Sequence, residues 1–443
     1  KSRGDLMLET LRNAFKIKEL RKRLFFTFLM LIVVRLGSQL PVPGVDSSVF
    51  SQLFSNSGDA MNFFDAITGG SFEQMSIFAL NITPYITASI IMQLLTIAFP
   101  KLEELQRDGE QGRKKIIQIT RYLTIGLSIM ESAAMAIGFG KNGYLTDFNA
   151  LYVILLIAAL TGGSAVLMWI GERITVQGVG NGISIVLVIN IISRIPKDLS
   201  TLYEQFISGK TPAKGTLAGV VIAVIIIAVV ALVVVLQNAE RKIPVQYSKK
   251  IQGRKQVGGS STFIPLKVNT GGVIPVIFAQ SLMQTPVIVA TLLKKNSGTG
   301  FWDGVLKGLS QSNWFDPEHW IYSIGAIAYV ALIIAFAYFY TEITFNPMEI
   351  ADNMKKQGGF IPGIRPGKPT SDYLTTVLNR IILIGALGLS IVSIIPLVLN
   401  GLFAADVSFG GTSIIIIVGV VIETLKQIES QMLVRNYKGF LTD

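Results

Sequence analysis

Residues 217–236 contain only Leu, Ala, Gly, Val and Ile, twenty positions without one polar side chain. A helix of about 20 apolar residues crosses the hydrocarbon core of a bilayer, where lipid offers no partner to an open peptide group. We read ten such runs: 24–40, 71–100, 116–138, 150–170, 183–195, 217–236, 271–293, 321–343, 374–399 and 412–425. Charged residues make up only 15% of the chain and apolar ones 50%, against roughly 25% charged in soluble domains. The expected fold is therefore an all-α polytopic membrane protein.

The loops set the orientation. Cytoplasmic loops collect Lys and Arg. Residues 237–269 carry Arg241, Lys242, Lys249, Lys250, Arg254, Lys255 and Lys267 against the single acid Glu240, which marks them as inside. Residues 101–115 and 344–372 are also basic, whereas 45–74 hold Asp46, Asp59, Asp65 and Glu73 and no base, which marks them as outside. The net charge of +11 then needs no nucleic acid to explain it. Both termini fall inside. Each half holds five spans, an odd number, so the second half is inverted relative to the first, and inverted halves place a pathway at their interface.

Several chemistries are excluded. There is no cysteine, hence no disulfide, thiolate metal site or cysteine nucleophile, and one histidine, His319, cannot build a histidine metal cluster. We assign His319 a structural or interfacial role, and Trp302, Trp314 and Trp320 an interface belt. The basic, amphipathic start leads into a full span, which argues against a cleavable signal. Residues 178–182 (GVGNG) resemble a phosphate loop only loosely and open a membrane helix. Membrane-depth charges are few: Arg35, Glu131 and Arg380. Arg35 either serves a function or snorkels to the interface.

Span two is the informative one. Asn81, Thr83, Thr87, Ser89 and Gln93 interrupt it, and Ile82, Ile86 and Ile90 recur at helical spacing. We expect an inner helix, its aliphatic stripe either packing or lining. Aliphatic runs also open at 183–187, 273–279 and 414–417. A constriction of branched aliphatics blocks ions by dewetting without recognising what passes. The alternative, an ion-coupled transporter, calls for midplane carboxylates in a solute pocket.

The runs ALNITPYITASIIMQLL (79–95), QGVGNGISI (177–185), PLKVNTGGVIPVIFAQS (265–281), FNPMEIADNMKKQGGFIPGIRPGKPT (345–370) and FGGTSIIIIV (409–418) resemble those of the bacterial SecY family, channel subunits of the Sec translocon. The resemblance covers essentially the whole chain. It implies a central hourglass pore between two inverted five-helix halves, with a lateral gate toward lipid. It implies a non-enzymatic channel without a cofactor, which passes unfolded polypeptide and releases apolar segments sideways. Carried over by motif, the pore ring is Ile82, Ile86, Ile183, Leu187, Ile277 and Ile416; leucine at 187 departs from the family's isoleucine. The plug, otherwise a surface helix, corresponds to Met61, Asn62, Phe63, Phe64, Asp65, Ala66, Ile67 and Thr68. Gln93, Glu131, Gln280 and Gln284 map to the gate, with hydrogen bonding to a neighbouring helix as the other role for Glu131. Lys249, Lys250, Arg254, Lys255, Arg365 and Tyr437 map to docking of the SecA motor and the ribosome. The other implied partners are SecE, SecG, signal sequences, preprotein chains and membrane lipid, in a bacterial plasma membrane. The expected division is 1–23, an amphipathic cytoplasmic start; 24–195, the first half, with the plug at about 58–70; 196–216, an outer hinge loop; 217–431, the second half; and 432–443, a cytoplasmic tail.

Overall fold

The computed structural model describes residues 15–45, 65, 68–141, 149–208, 212–247, 250–252, 255–257, 261–292, 301–315, 320–403 and 411–438. His319 lies outside them. The chain forms two compact units. One comprises Lys1–Leu202, Val287–Asp303 and Val420–Asp443; the other comprises Tyr203–Pro286 and Gly304–Gly419.

The first unit opens with α1 (Lys18–Gly37). The basic start and the first span were expected as separate pieces, but no breaker divides them and they run as one helix from Lys18. The chain leaving α1 pairs with the chain entering span two: the Val42 N–H donates to the Met75 carbonyl (2.9 Å), and the Ile77 N–H to the Leu40 carbonyl (2.9 Å). Span two is not helical from residue 71. Residues 69–80 form successive turns, and the helix α2 is Thr83–Ala98. Met75 and Asn81 take positive φ values of 43° and 51°, a left-handed backbone that a helix cannot carry. Pro84 then sits in the first turn, where its missing donor costs no hydrogen bond.

Phe99 is extended ahead of Pro100, and the chain bends by 107° into α3 (Pro100–Arg107). Thus the expected inner loop 101–115 is largely helical. There follow α4 (Gly109–Lys141), α5 (Ala150–Gln177) and α6 (Gly182–Leu202). Pro196 does not stop α6, which runs on for six residues to Leu202 and ends in a π turn at Tyr203–Ile207. The expected outer hinge loop 196–216 is therefore helical in its first part, since a proline inside a membrane helix is tolerated where neighbouring groups satisfy the freed carbonyl. The GVGNG turn is a packing device. A Cβ on Gly182 would lie 2.0 Å from the Gly171 carbonyl oxygen, and one on Gly178 would lie 2.4 Å from Thr27 Oγ1.

The second unit opens with α7 (Pro212–Asn238). Leu217, Val220, Val221, Val224, Ile227 and Val235 are exposed on it, as suits a helix facing lipid. The basic stretch 237–269, expected as a loop, forms strands β1 (Glu240–Tyr247), β2 (Lys250–Gln252), β3 (Lys255–Val257) and β4 (Ser261–Lys267). Then come α8 (Ile274–Leu292), α9 (Phe301–Leu309), α10 (Ile324–Thr344), α11 (Pro347–Lys356), β5 (Gly359–Phe360), α12 (Lys368–Phe403) and α13 (Gly411–Lys438), of which 287–292, 301–303 and 420–438 belong to the first unit. Antiparallel order is β4–β1–β5, with Ile243 opposite Ile264 and Gln246 opposite Phe360; β2 and β3 form a separate hairpin. Ile243, Val245 and Leu266 pack on Met354, Ile361, Leu374 and Ile381, which seats the sheet on α11 and α12. Trp314 does not join an interface belt. It is fully buried against Tyr329, and its Nε1–H donates to the Gly308 carbonyl (2.8 Å). Trp302 and Trp320 are exposed.

Ten helices, α1, α2, α4 to α8, α10, α12 and α13, stand on the ten expected runs. Among the described residues, five helices are long and apolar enough to cross a membrane on length and composition, six if the bent pair α2 and α3 is one span.

Candidate functional site

The aliphatic stripe of span two meets the start of α6. Ile82, Val186, Val34, Phe78, Leu167, Ile170 and Ile174 are buried in one cluster, with Ile86, Ile183, Ile185 and Ile189 partly buried against it. Three of the expected ring residues, Ile82, Ile86 and Ile183, thus come together inside the first unit. Leu187 is buried one turn further along α6. Ile277, partly buried on α8, and Ile416, buried on α13, belong to the second unit.

Beyond this cluster the same face of α6 turns polar. The Asn190 amide donates from Nδ2 to Asn81 Oδ1 (3.1 Å), and both residues are buried. One turn on, Arg194 pairs through Nη1 with the fully buried carboxylate of Asp65. It also lies 3.6 Å from Glu73 Oε2 and 3.8 Å, from Nε, to Asp198 Oδ1. Asp65 Oδ1 accepts from the Glu73 N–H (2.7 Å), so one carboxylate both closes the turn 65–73 and binds α6. At the rim, Lys197 Nζ reaches both oxygens of Glu73 (2.8 and 2.6 Å). Gly69 lies so close to α6 that a Cβ there would stand 2.7 Å from the Asn190 carbonyl oxygen, and its φ is +70°. A cavity of about 600 Å³ borders this network, lined by residues including Arg35, Gln39, Glu73, Arg194 and Lys197.

Arg35 does not simply snorkel: its Nη1 donates to the Gly69 carbonyl (3.2 Å). Of the expected plug, only Asp65 and Thr68 are described, and Met61, Asn62, Phe63, Phe64, Ala66 and Ile67 lie outside the described residues. The four residues assigned to the gate fall in two groups. Gln93 on α2 and Glu131 on α4 are in the first unit, the latter half-buried. Gln280 is in the second unit, where it is buried and donates from Nε2 to Gln311 Oε1 (3.2 Å); Gln284 follows one turn later on α8. Of the docking residues, Lys250 stands on β2, Lys255 on β3 and Tyr437 in the last turn of α13, while Lys249 and Arg254 lie outside the described residues. Arg365 is exposed in the turn ahead of α12, where its carbonyl accepts from Thr370 Oγ1 (2.8 Å).

Sequence reasoning missed Asn190 and Arg194. Asn190 carried a usable signal, an amide inside the apolar run of α6, which polar residues at membrane depth should always raise. Arg194 was hidden because a proline two residues later suggested that the helix had ended. Among the described residues, no group of three or more His, Cys, Asp or Glu side chains is placed to hold a metal ion.

The SecY family profile matches residues 76–425. The chain is 45% identical over 456 residues to the protein translocase subunit SecY of Streptomyces galbus, spanning 98% of this chain and 100% of that one. Two solved structures share its fold at lower identity. One, described as "The structure of a protein conducting channel", aligns with a TM-score of 0.61 at 19% identity, covering 93% of this chain and 92% of that one. The other, "Sec61 in the Canine ribosome-channel complex from the endoplasmic reticulum", aligns with a TM-score of 0.56 at 18% identity, again over 93% and 92%. Ordered motifs along the whole chain, the helical fold, and identity across nearly its full length lead to one conclusion: the chain belongs to the SecY family.

Proposed function

We propose that this protein is the polypeptide-conducting channel of a bacterial translocase and not an enzyme. It passes unfolded secretory chains across the plasma membrane and lets apolar segments leave into lipid. The observation that carries this reading is the gathering of Ile82, Ile86 and Ile183 where α2 meets α6. Branched aliphatics at a narrow place exclude water and ions by dewetting, yet make no directional bond that would select a passenger. A solute carrier needs the opposite, a polar pocket shaped to one molecule. We assign Ile277 and Ile416 to the same constriction, and the segment 61–68 to its plug. In this reading the halves 24–195 and 217–431 are inverted repeats with both termini cytoplasmic, and Gln93, Glu131, Gln280 and Gln284 belong to the lateral gate.

The motor and ribosome are assigned to the basic sheet and to the turn bearing Arg365. Clustered Lys and Arg attract ribosomal RNA and acidic protein alike. A ribosome is named with one structural relative, which favours this assignment. SecE, SecG and SecA are the protein partners that the family relation suggests.

The test uses a chain free of cysteine. Single cysteines replace Ile82, Ile277 and Ile416 in turn, with Val220 on the exposed face of α7 as control. A secretory chain stalled midway and carrying one cysteine should form disulfides with the three positions and not with the control. No crosslink at any of the three, in membranes that export normally, would place the path elsewhere.

A further inference from the structure

One face of α6 carries Ile183, Leu187, Asn190, Arg194 and Asp198, spaced three or four residues apart. Asp65 and the segment 68–82 lie against it and offer Ile82 and Asn81 at one end, Glu73 and Asp65 at the other. The aliphatic end of this contact is permissive, because apolar surfaces keep most of their attraction when they slide. The polar end is not. A buried amide pair and a buried ion pair form in one register only, and polar pairs that fix register are the best-attested use of such groups in cores. Ile82 follows Asn81 directly, and Asn81 is held in a left-handed backbone with φ 51°, so the amide pair and the constriction residue cannot shift independently.

We propose that Asn190 and Arg194 are positioning residues of the constriction: through Asn81 and Asp65 they fix where Asp65 and the segment 68–82 lie along α6, and so hold Ile82 beside Ile183. This assignment rests on the channel reading above. Two features make the polar pairs decisive. Gly69 has no side chain where it meets Asn190, so the backbones touch and no bulky group keys them together. The cavity beside Arg194 gives water room to solvate the charges once they part, so a weakened pair is released into solvent and not forced to re-form. Lys197 and Glu73 contribute less, since Lys197 is 58% exposed and such pairs are screened.

The full chain, reconstituted in lipid vesicles with its partner subunits, tests this through chloride leak per inserted channel and the thermal midpoint. Arg194→Gln should raise the leak roughly tenfold, equivalent to about 1.4 kcal/mol of lost preference for the sealed register. Arg194→Lys, which keeps the cation, should bring the leak back toward the parent value, which a general loss of packing would not allow. Asn190→Ser removes only the amide pair and serves if Arg194→Gln fails to accumulate; it too should leak. Parental leak in Arg194→Gln or Asn190→Ser, at parental amounts of inserted protein, overturns the proposal. So does an Arg194→Lys variant that leaks as much as Arg194→Gln. Precursor crosslinking to a cysteine at 82 in the parent separates the two failures. With that crosslink present and no leak in the variants, the positioning role alone is wrong; with it absent, the channel reading falls as well.

Discussion

Gly162 and Gly163 stand side by side on α5 and behave oppositely. A Cβ on Gly163 would lie 2.0 Å from the Ile77 carbonyl oxygen, whereas a Cβ on Gly162 meets nothing within 4 Å. Gly163 lets the turn segment 69–80 rest against α5; Gly162 only leaves the helix interior without a side chain. Alanine at 163 must push the backbones apart, and overpacking of this kind costs about 1–3 kcal/mol. Alanine at 162 fits a helical backbone and narrows the unfolded ensemble, which typically stabilises by about 0.4–1 kcal/mol. We expect Gly163→Ala to lower the thermal midpoint in detergent and Gly162→Ala to raise it slightly. Equal shifts in the two variants would mean that the close approach of Ile77 is not maintained in solution. Neither contact could be read from the sequence, because glycine in an apolar run looks the same whether it faces lipid or a carbonyl.

At the scale of elements, what the sequence disclosed and what it hid divide along physical lines. The apolar runs were legible because the bilayer imposes a length, and α4, α5, α7, α10 and α12 all pass the length and composition test. The start of α2 was hidden because left-handed residues at Met75 and Asn81 leave no periodic signature. The sheet β4–β1–β5 was hidden because a basic composition outweighed the alternation in β1, where Ile243 and Val245 point inward. The Asp65–Arg194 pair was hidden because residues so far apart in the chain carry no local mark. The helix α11, inside an expected loop, did announce itself: Asn346, Pro347 and Glu349 form a helix start. The Asn346 side chain accepts from the Met348 N–H (3.1 Å) and the Glu349 N–H (3.3 Å), supplying two of the donors that a helix terminus leaves open. Asn346→Ala should therefore destabilise by about 1 kcal/mol. Since α11 packs through Met354 on β1 and α12, the loss should appear as faster amide exchange in α11 and β5, with the membrane helices unaffected. Unchanged exchange in α11 would show that packing alone holds it.

For the whole molecule, the charge distribution makes a claim that hydropathy cannot make, because apolar runs have no direction. Orientation follows the count of Lys and Arg near the ends of spans, with acids contributing little. The stretch 237–269 holds seven bases and 344–372 holds four, while 45–74 holds none. The structure sharpens this contrast, because Arg241, Lys242 and Lys267 stand on the paired strands β1 and β4 and Arg365 in a tight turn, and β1 and β4 pack on α11 and α12 to make a folded body. Such a body cannot be pulled back through the bilayer without unfolding. We therefore expect Phe263→Cys on β4 and Met348→Cys on α11 to react with a membrane-impermeant thiol reagent only after cells are opened. Phe301→Cys on α9 and Tyr203→Cys at the end of α6 should react in intact cells. All four residues are exposed, at 49%, 62%, 81% and 57% respectively, so accessibility to the reagent is decided by the membrane and not by burial. Labelling of Met348→Cys in intact cells would invert the topology. It would also remove the basic sheet from the side where a motor or a ribosome could reach it, and the docking assignment would fall with the orientation.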